Sequence, residues 1–202
     1  MDRIKELKDD SIYIEHNFLD DKNFIDVKNK LKNNIIKFYP THQPIDSTEF
    51  TNRFQTQPCY QSEHLKFIDE KLDKIIFEKA KNILNVPILG YYSFFRKTLS
   101  SEIKKSKVNT RYGTIHQDKN ELASILYFDK SLDGGTAFFE NIYDKHPEMY
   151  VSAYPNRFVL YSGFRNHCPC IDFTYEERIV LVSFYVISQQ YIDQFEGEIN
   201  DR

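Results

Sequence analysis

His116-Gln117-Asp118 sets an imidazole and a carboxylate two residues apart at the end of an expected strand. Residues i and i+2 of a strand project to the same face, so these two side chains can hold one ion together. Alone the pattern is common, and a solvated strand end carries it equally well. His167 follows 49 residues after Asp118, at the head of His167-Cys168-Pro169-Cys170. The strand and short turn before it place it at the rim of a sheet. Two imidazoles and one carboxylate suit Fe(II) and leave three coordination positions open for a chelating ligand and dioxygen. By itself His167 also reads as a satisfied structural histidine.

Arg178 leads the almost wholly apolar run RIVLVSFYV, 11 residues after His167. A buried guanidinium needs an anionic partner. Two sources stand open at this point: a protein carboxylate, or a bound dicarboxylate held by a bidentate pair. No acidic residue lies within the run, although Glu176 and Glu177 immediately precede it.

These groups need elements to position them. Asp21 to Phe38 carries apolar residues at Phe24, Ile25, Val27, Leu31, Ile35 and Ile36, near a helical period, and Tyr39-Pro40 ends it. Pro40 to Tyr60 reads as loop. A second helix is expected from Ser62, its N-cap, with a stripe of Leu65, Ile68, Leu72, Ile75, Ile76 and Ala80. From Pro87 the segments become short, aromatic and β-branched. Strands are expected near 89–98, 112–117, 122–129, 135–140, 156–162 and 177–187. Asp133-Gly134-Gly135 reads as a tight turn, and 99–111 as an exposed loop. The order predicts one α+β domain over 1–202, with 1–86 mainly helical support and 87–190 a β core. That core is a jelly roll or barrel with helices on one face.

The 202 residues are 41% hydrophobic and 28% charged, a globular balance that excludes wholesale disorder. A net charge of −3 gives no global field toward nucleic acid or acidic lipid. Seventeen Phe and 14 Tyr, with no Trp, favour a strand-rich core. Cys59, Cys168 and Cys170 are an odd count, and the last two stand too close for an ordinary bridge, so no disulfide framework and a reducing, cytoplasmic setting are expected. The charged start lacks an apolar leader, and no 18-residue apolar run exists to span a membrane.

Order and spacing together form a specific composite. His-x-Asp, a Gly-Gly hairpin, a strand, His and then Arg lie within TIHQDKNELASILYFDKSLDGGTAFFE and PNRFVLYSGFRNHCPCIDFTYEERIVLVSFYV. Over most of 112–187 the sequence resembles the Fe(II)/2-oxoglutarate-dependent dioxygenases, in their prolyl-4-hydroxylase-like branch. The resemblance implies a double-stranded β-helix, or distorted jelly roll, with iron at its open end and N-terminal supporting helices. It implies His116, Asp118 and His167 as the iron ligands and catalytic centre, and Arg178 as partner of the distal carboxylate of 2-oxoglutarate. Tyr127 would place its hydroxyl on that carboxylate, or else fill the core. Thr136 and Tyr112 are weaker lining candidates.

The implied reaction is oxidative decarboxylation of 2-oxoglutarate to succinate and CO2, coupled through dioxygen to hydroxylation of a C–H bond. The substrate is unidentified: a protein side chain such as prolyl, or a small molecule. Where many relatives carry Ser or Thr two residues after the Arg, this chain has Val180, and Ser183 falls on the opposite strand face. Two alternatives remain. Arg96, Lys97, Lys104, Lys105, Lys107 and Arg111 in the 96–111 segment suggest a nucleic-acid-modifying oxygenase, although a solvated loop is the more ordinary reading. A non-catalytic jelly-roll binding module is the other. Cys168 should turn away from His167, and Cys-Pro-Cys lacks zinc spacing. Gln43 to Tyr60, 99–111 and Asn141 to Tyr154 are the expected substrate-facing segments.

Overall fold

The structure is a computed structural model that describes residues 11–41, 59–105, 111–118 and 120–191. Its strands in chain order are β1 (Tyr13–His16), β2 (Tyr39–Pro40), β3 (Tyr60–His64), β4 (Gly90–Leu99), β5 (Leu122–Tyr127), β6 (Ser131–Phe139), β7 (Met149–Ala153), β8 (Arg157–Ser162), β9 (Asn166–Pro169) and β10 (Glu177–Val186). The helices are α1 (Asp21–Lys32), α2 (Leu65–Ile68), α3 (Glu70–Leu84) and α4 (Ser100–Lys105). Among the described residues, no helix is long and apolar enough to cross a membrane.

The apolar run after Arg178 becomes β10, which lies between β4 and β5 in a seven-stranded sheet of order β1-β8-β5-β10-β4-β3-β2. Both faces of β10 are covered, which is why it reads as a continuous apolar stretch rather than an alternating one. Leu181 and Tyr185 pack on one side with Val27, Leu72, Ile76 and Ala80 of α1 and α3. Val180, Val182 and Phe184 face the other way, toward Tyr127, Phe138, Val159 and Tyr161. Those residues line the space between the large sheet and a second, three-stranded sheet of order β7-β6-β9. Helices, large sheet and small sheet thus form three layers, a distorted jelly roll with its helices on one outer face.

Several expectations are corrected by the structure. Ser62 caps no helix: it sits in β3, where its Oγ accepts from the Phe95 amide at 3.0 Å. Pairing with β4 overrides local helix propensity there. The helical stretch instead splits into α2 and α3, and the side chain of Asp69 caps α3 by accepting from the Leu72 amide. Helix α1 stops at Lys32, short of Phe38, with Asn34 in the left-handed region at φ 53°. Residues 1–86 give three strands to the large sheet besides their helices.

Asp133-Gly134-Gly135 is no turn but the irregular part of β6. A Cβ on Gly135 would stand 1.9 Å from the Val151 carbonyl oxygen, so glycine lets β6 and β7 approach. The segment 112–117 forms only two isolated bridges, Tyr112 to Cys170 and His116 to His167. Residues 100–105 are helical, with Ile103 fully buried, so this part of 99–111 is no exposed loop. Residues 42–58, most of the expected loop before Tyr60, and 106–110 with Lys107 lie outside the described residues.

Candidate active site

The two histidines are brought together by the backbone. The amides of His116 and His167 each donate to the other's carbonyl at 2.9 Å, and the ring centroids stand 4.5 Å apart. Asp118 is held by its own amide, which donates to the Gly163 carbonyl at 2.7 Å, while the Gly163 amide donates to Glu121 O. Glu121 in turn accepts from the amides of Ile187 and Ser188, so the Asp118 turn is tied to the ends of β8 and β10. Gly163 is required there, because a Cβ would lie 1.9 Å from Asn120 O.

Ligand atoms of His116, Asp118 and His167 all lie within 4.8 Å of one another. His116 Nε2 is 3.7 Å from Asp118 Oδ1, and His167 Nε2 is 3.4 Å from Asp118 Oδ2. Each Nδ1 faces a carbonyl oxygen, Thr114 O at 2.9 Å for His116 and Arg165 O at 2.8 Å for His167. A carbonyl only accepts, so each Nδ1 carries the proton and each Nε2 lone pair points toward Asp118. That second hydrogen bond orients a metal-ligating imidazole. Burial lowers the His167 pKa from 6.5 to about 4, with the Asp118 charge opposing, which keeps the ring in its neutral, ligating form. The donor set and its tautomers fit a divalent first-row metal such as Fe(II).

The small sheet leads from this cluster to Arg178. His167 pairs with Phe138, and two residues along β6 stands Thr136. Thr136 is fully buried, and its Oγ1 lies 2.6 Å from the Tyr127 hydroxyl. The Arg178 guanidinium sits 5.7 Å from the Tyr127 ring centroid. Its Nε donates to Gly134 O at 2.9 Å and Nη2 to Gly135 O at 3.3 Å. Among the described residues it forms no ion pair with a protein carboxylate, the alternative left open by the sequence. A cavity of about 320 Å³ opens beside Arg178, lined also by Tyr127, Gly134, Thr98 and Tyr175; the three candidate ligands do not line it.

The other expected residues divide. Tyr112 does not reach this chamber: it packs against Phe139, Cys168 and Cys170 on the outer side of the small sheet. Ser183 does face away from Arg178, toward Ser93 and Ser124. The basic run is dispersed. Arg96 and Lys97 belong to β4 and point to opposite faces, Lys97 lying over the Phe38 ring, while Arg111 pairs with Asp133 at 2.6 Å.

Two lining residues were not expected. Tyr161 is fully buried edge-on to His167, with centroids 4.8 Å apart, and burial pushes its hydroxyl pKa well up. Arg96 is the other. Its signal was the alternation of Tyr92, Phe94 and Arg96 along one strand, obscured by grouping Arg96 with the basic residues that follow.

No protein-family sequence model matches the chain, and no curated protein matches it in sequence. Solved structures do match in fold. A prolyl-4-hydroxylase from Pseudomonas putida aligns with TM-score 0.57 and 11% identity over 92% of this chain and 97% of that one. The non-heme alpha-ketoglutarate-dependent epimerase SnoN of nogalamycin biosynthesis gives 0.58 and 10% over 91% and 83%. A prolyl hydroxylase from Trichoplax adhaerens, in complex with a peptide fragment of the hypoxia inducible factor oxygen degradation domain, gives 0.57 and 13% over 91% and 87%. The chain therefore has the jelly-roll fold in which these oxygenases are built.

Proposed function

We propose that this protein is a non-haem Fe(II)- and 2-oxoglutarate-dependent dioxygenase that hydroxylates a C–H bond of its substrate, releasing succinate and CO2. The observation that carries the reading is the convergence of His116, Asp118 and His167 on one point, with Arg178 on the strand face that looks into the space between the two sheets. His116, Asp118 and His167 would hold the iron, which when bound supplies the activation of dioxygen. Arg178, anchored by two backbone carbonyls, has N–H groups left over for the distal carboxylate of 2-oxoglutarate. The Tyr127–Thr136 hydroxyl pair satisfies itself and can pass one O–H to the same carboxylate. Phe138, Val180 and Val182 exclude water from the chamber.

The substrate class we favour is a protein side chain such as a prolyl residue, supported by two prolyl hydroxylases among the fold neighbours, one of them peptide-bound. A small molecule is the second choice. The test is anaerobic addition of Fe(II) and 2-oxoglutarate to metal-free protein, followed by visible absorption of the chelate. A band in the wild type, absent in His116→Ala, supports the reading. Protein that binds no metal would instead leave a non-catalytic binding module.

A further inference from the structure

Arg96 belongs to β4, directly across from Val180 of β10, which also pairs with Tyr127 of β5. Its strand neighbours two and four residues back, Phe94 and Tyr92, face the chamber between the sheets. The side chain follows them inward, with its Cζ 5.6 Å from the Phe94 ring centroid. The Nε is buried and has no hydrogen-bond partner. The buried Nε atoms of Arg157 and Arg165 are likewise unpartnered, but those guanidinium groups are anchored elsewhere, on Ser152 and Glu148. Arg96 forms no hydrogen bond or ion pair at all among the described residues. An unpartnered buried N–H costs free energy unless an acceptor meets it, and the half-buried Arg96 side chain leaves the rest of its guanidinium open to an anion.

Arg178 pairs with Thr98, one inward position further from the triad end of β4 than Arg96. Asn120, two residues past Asp118, donates from Nδ2 to the Tyr92 hydroxyl at 3.2 Å, which marks the Tyr92 end of β4 as the triad end. Arg96 therefore stands on the triad side of Arg178. Together the two set a pair of guanidinium groups on the inward face of neighbouring strands, an arrangement that suits a dianion. Val180, opposite Arg96, offers no hydrogen bond of its own.

We propose that Arg96 is a second anion-binding residue of the chamber, which grips the metal-side carboxylate of a dicarboxylate cosubstrate while Arg178 grips the far one. This rests on the proposed function and assigns a residue that function does not need.

The test is anaerobic calorimetric titration of 2-oxoglutarate, and separately of pyruvate, into Fe(II)-loaded wild type, Arg96→Met, Arg96→Lys and Arg178→Met. Iron loading and circular dichroism check that each variant is folded. Arg96→Met should raise the Kd for 2-oxoglutarate on the order of tenfold or more, the loss expected of a hydrogen-bonded charge. Arg96→Lys, charged but without the fork, should recover part of it. Pyruvate lacks the far carboxylate, so its binding should weaken with Arg96→Met and not with Arg178→Met. An Arg96→Met Kd within twofold of wild type overturns the inference alone, and a lower melting temperature with unchanged affinity would mark Arg96 as structural. If Arg96→Met fails to fold, an Arg96→Lys Kd equal to wild type for both ligands overturns the fork-specific grip. A wild type that takes up iron but binds no 2-oxoglutarate overturns the proposed function, and the inference with it.

Discussion

His116 and His167 are locked to each other by a reciprocal pair of backbone hydrogen bonds, 2.9 Å in each direction, although they lie far apart in sequence. The bridge sets the two imidazoles side by side, and Asp118 needs only its short turn to meet both. The proposed metal site thus rests on backbone pairing between the 111–118 segment and β9.

Replacing His116 or His167 by Ala should lower Fe(II) affinity on the order of 100-fold or more, since even partners of metal ligands cost 10–100-fold when removed. Equilibrium dialysis with metal analysis reads this. Tyr112→Phe, on the outer side of the small sheet, should bind iron like wild type.

Arg178→Met should leave iron binding intact and weaken 2-oxoglutarate on the order of tenfold or more. The same calorimetric titration shows it. Equal affinity in the variant would return Arg178 to a purely structural post on the Gly134 and Gly135 carbonyls.

Stability of the metal-free protein should fall in acid. Burial holds the His167 pKa near 4, against 6.5 when exposed. Between those values the unfolded chain binds the proton and the folded chain does not, so stability decreases as pH drops through that window. The contribution from this group is about 3 kcal/mol. Urea denaturation at pH 7 and pH 4.5 measures it, and His167→Gln should show a smaller drop; parallel curves would exclude His167 as the cause.

Gly163→Ala should destabilise the fold by about 1–3 kcal/mol, the range for forcing an atom into a packed site. The added Cβ meets Asn120 O and shifts the turn that carries Asp118. Iron affinity should fall with it, and a variant that keeps wild-type affinity would show that the turn yields without moving Asp118.

Asn156 holds a left-handed backbone at φ 59° and clasps both backbone groups of Leu19, its Oδ1 accepting from the amide at 2.8 Å and its Nδ2 donating to the carbonyl at 2.7 Å. Asn156→Ala loses both bonds and strains the backbone, a cost of about 2–4 kcal/mol. Asn156→Gly relieves the strain only, so thermal unfolding should rank wild type above Gly and Gly above Ala.

Local pattern decided much of this protein. The two-residue spacing of His116 and Asp118 keeps them within reach of one ion, although a bridge and a turn rather than a strand bring them together, and alternation separates Arg178 from Ser183 on opposite faces of β10. The aromatic, β-branched texture after Pro87 carries β4 to β10, while β1 to β3 lie before it. What the sequence alone left undecided is which strands neighbour one another. Ser62 became strand because β4 offered it an edge, and Tyr112 left the chamber because its bridge to Cys170 turned it to the outer face. Arg96 read as one charge in a basic run until β4 and β10 paired and set it across from Val180. Face is fixed by covalent geometry over two or three residues; neighbourhood is fixed by hydrogen bonds between distant segments, and only the tertiary structure supplies those.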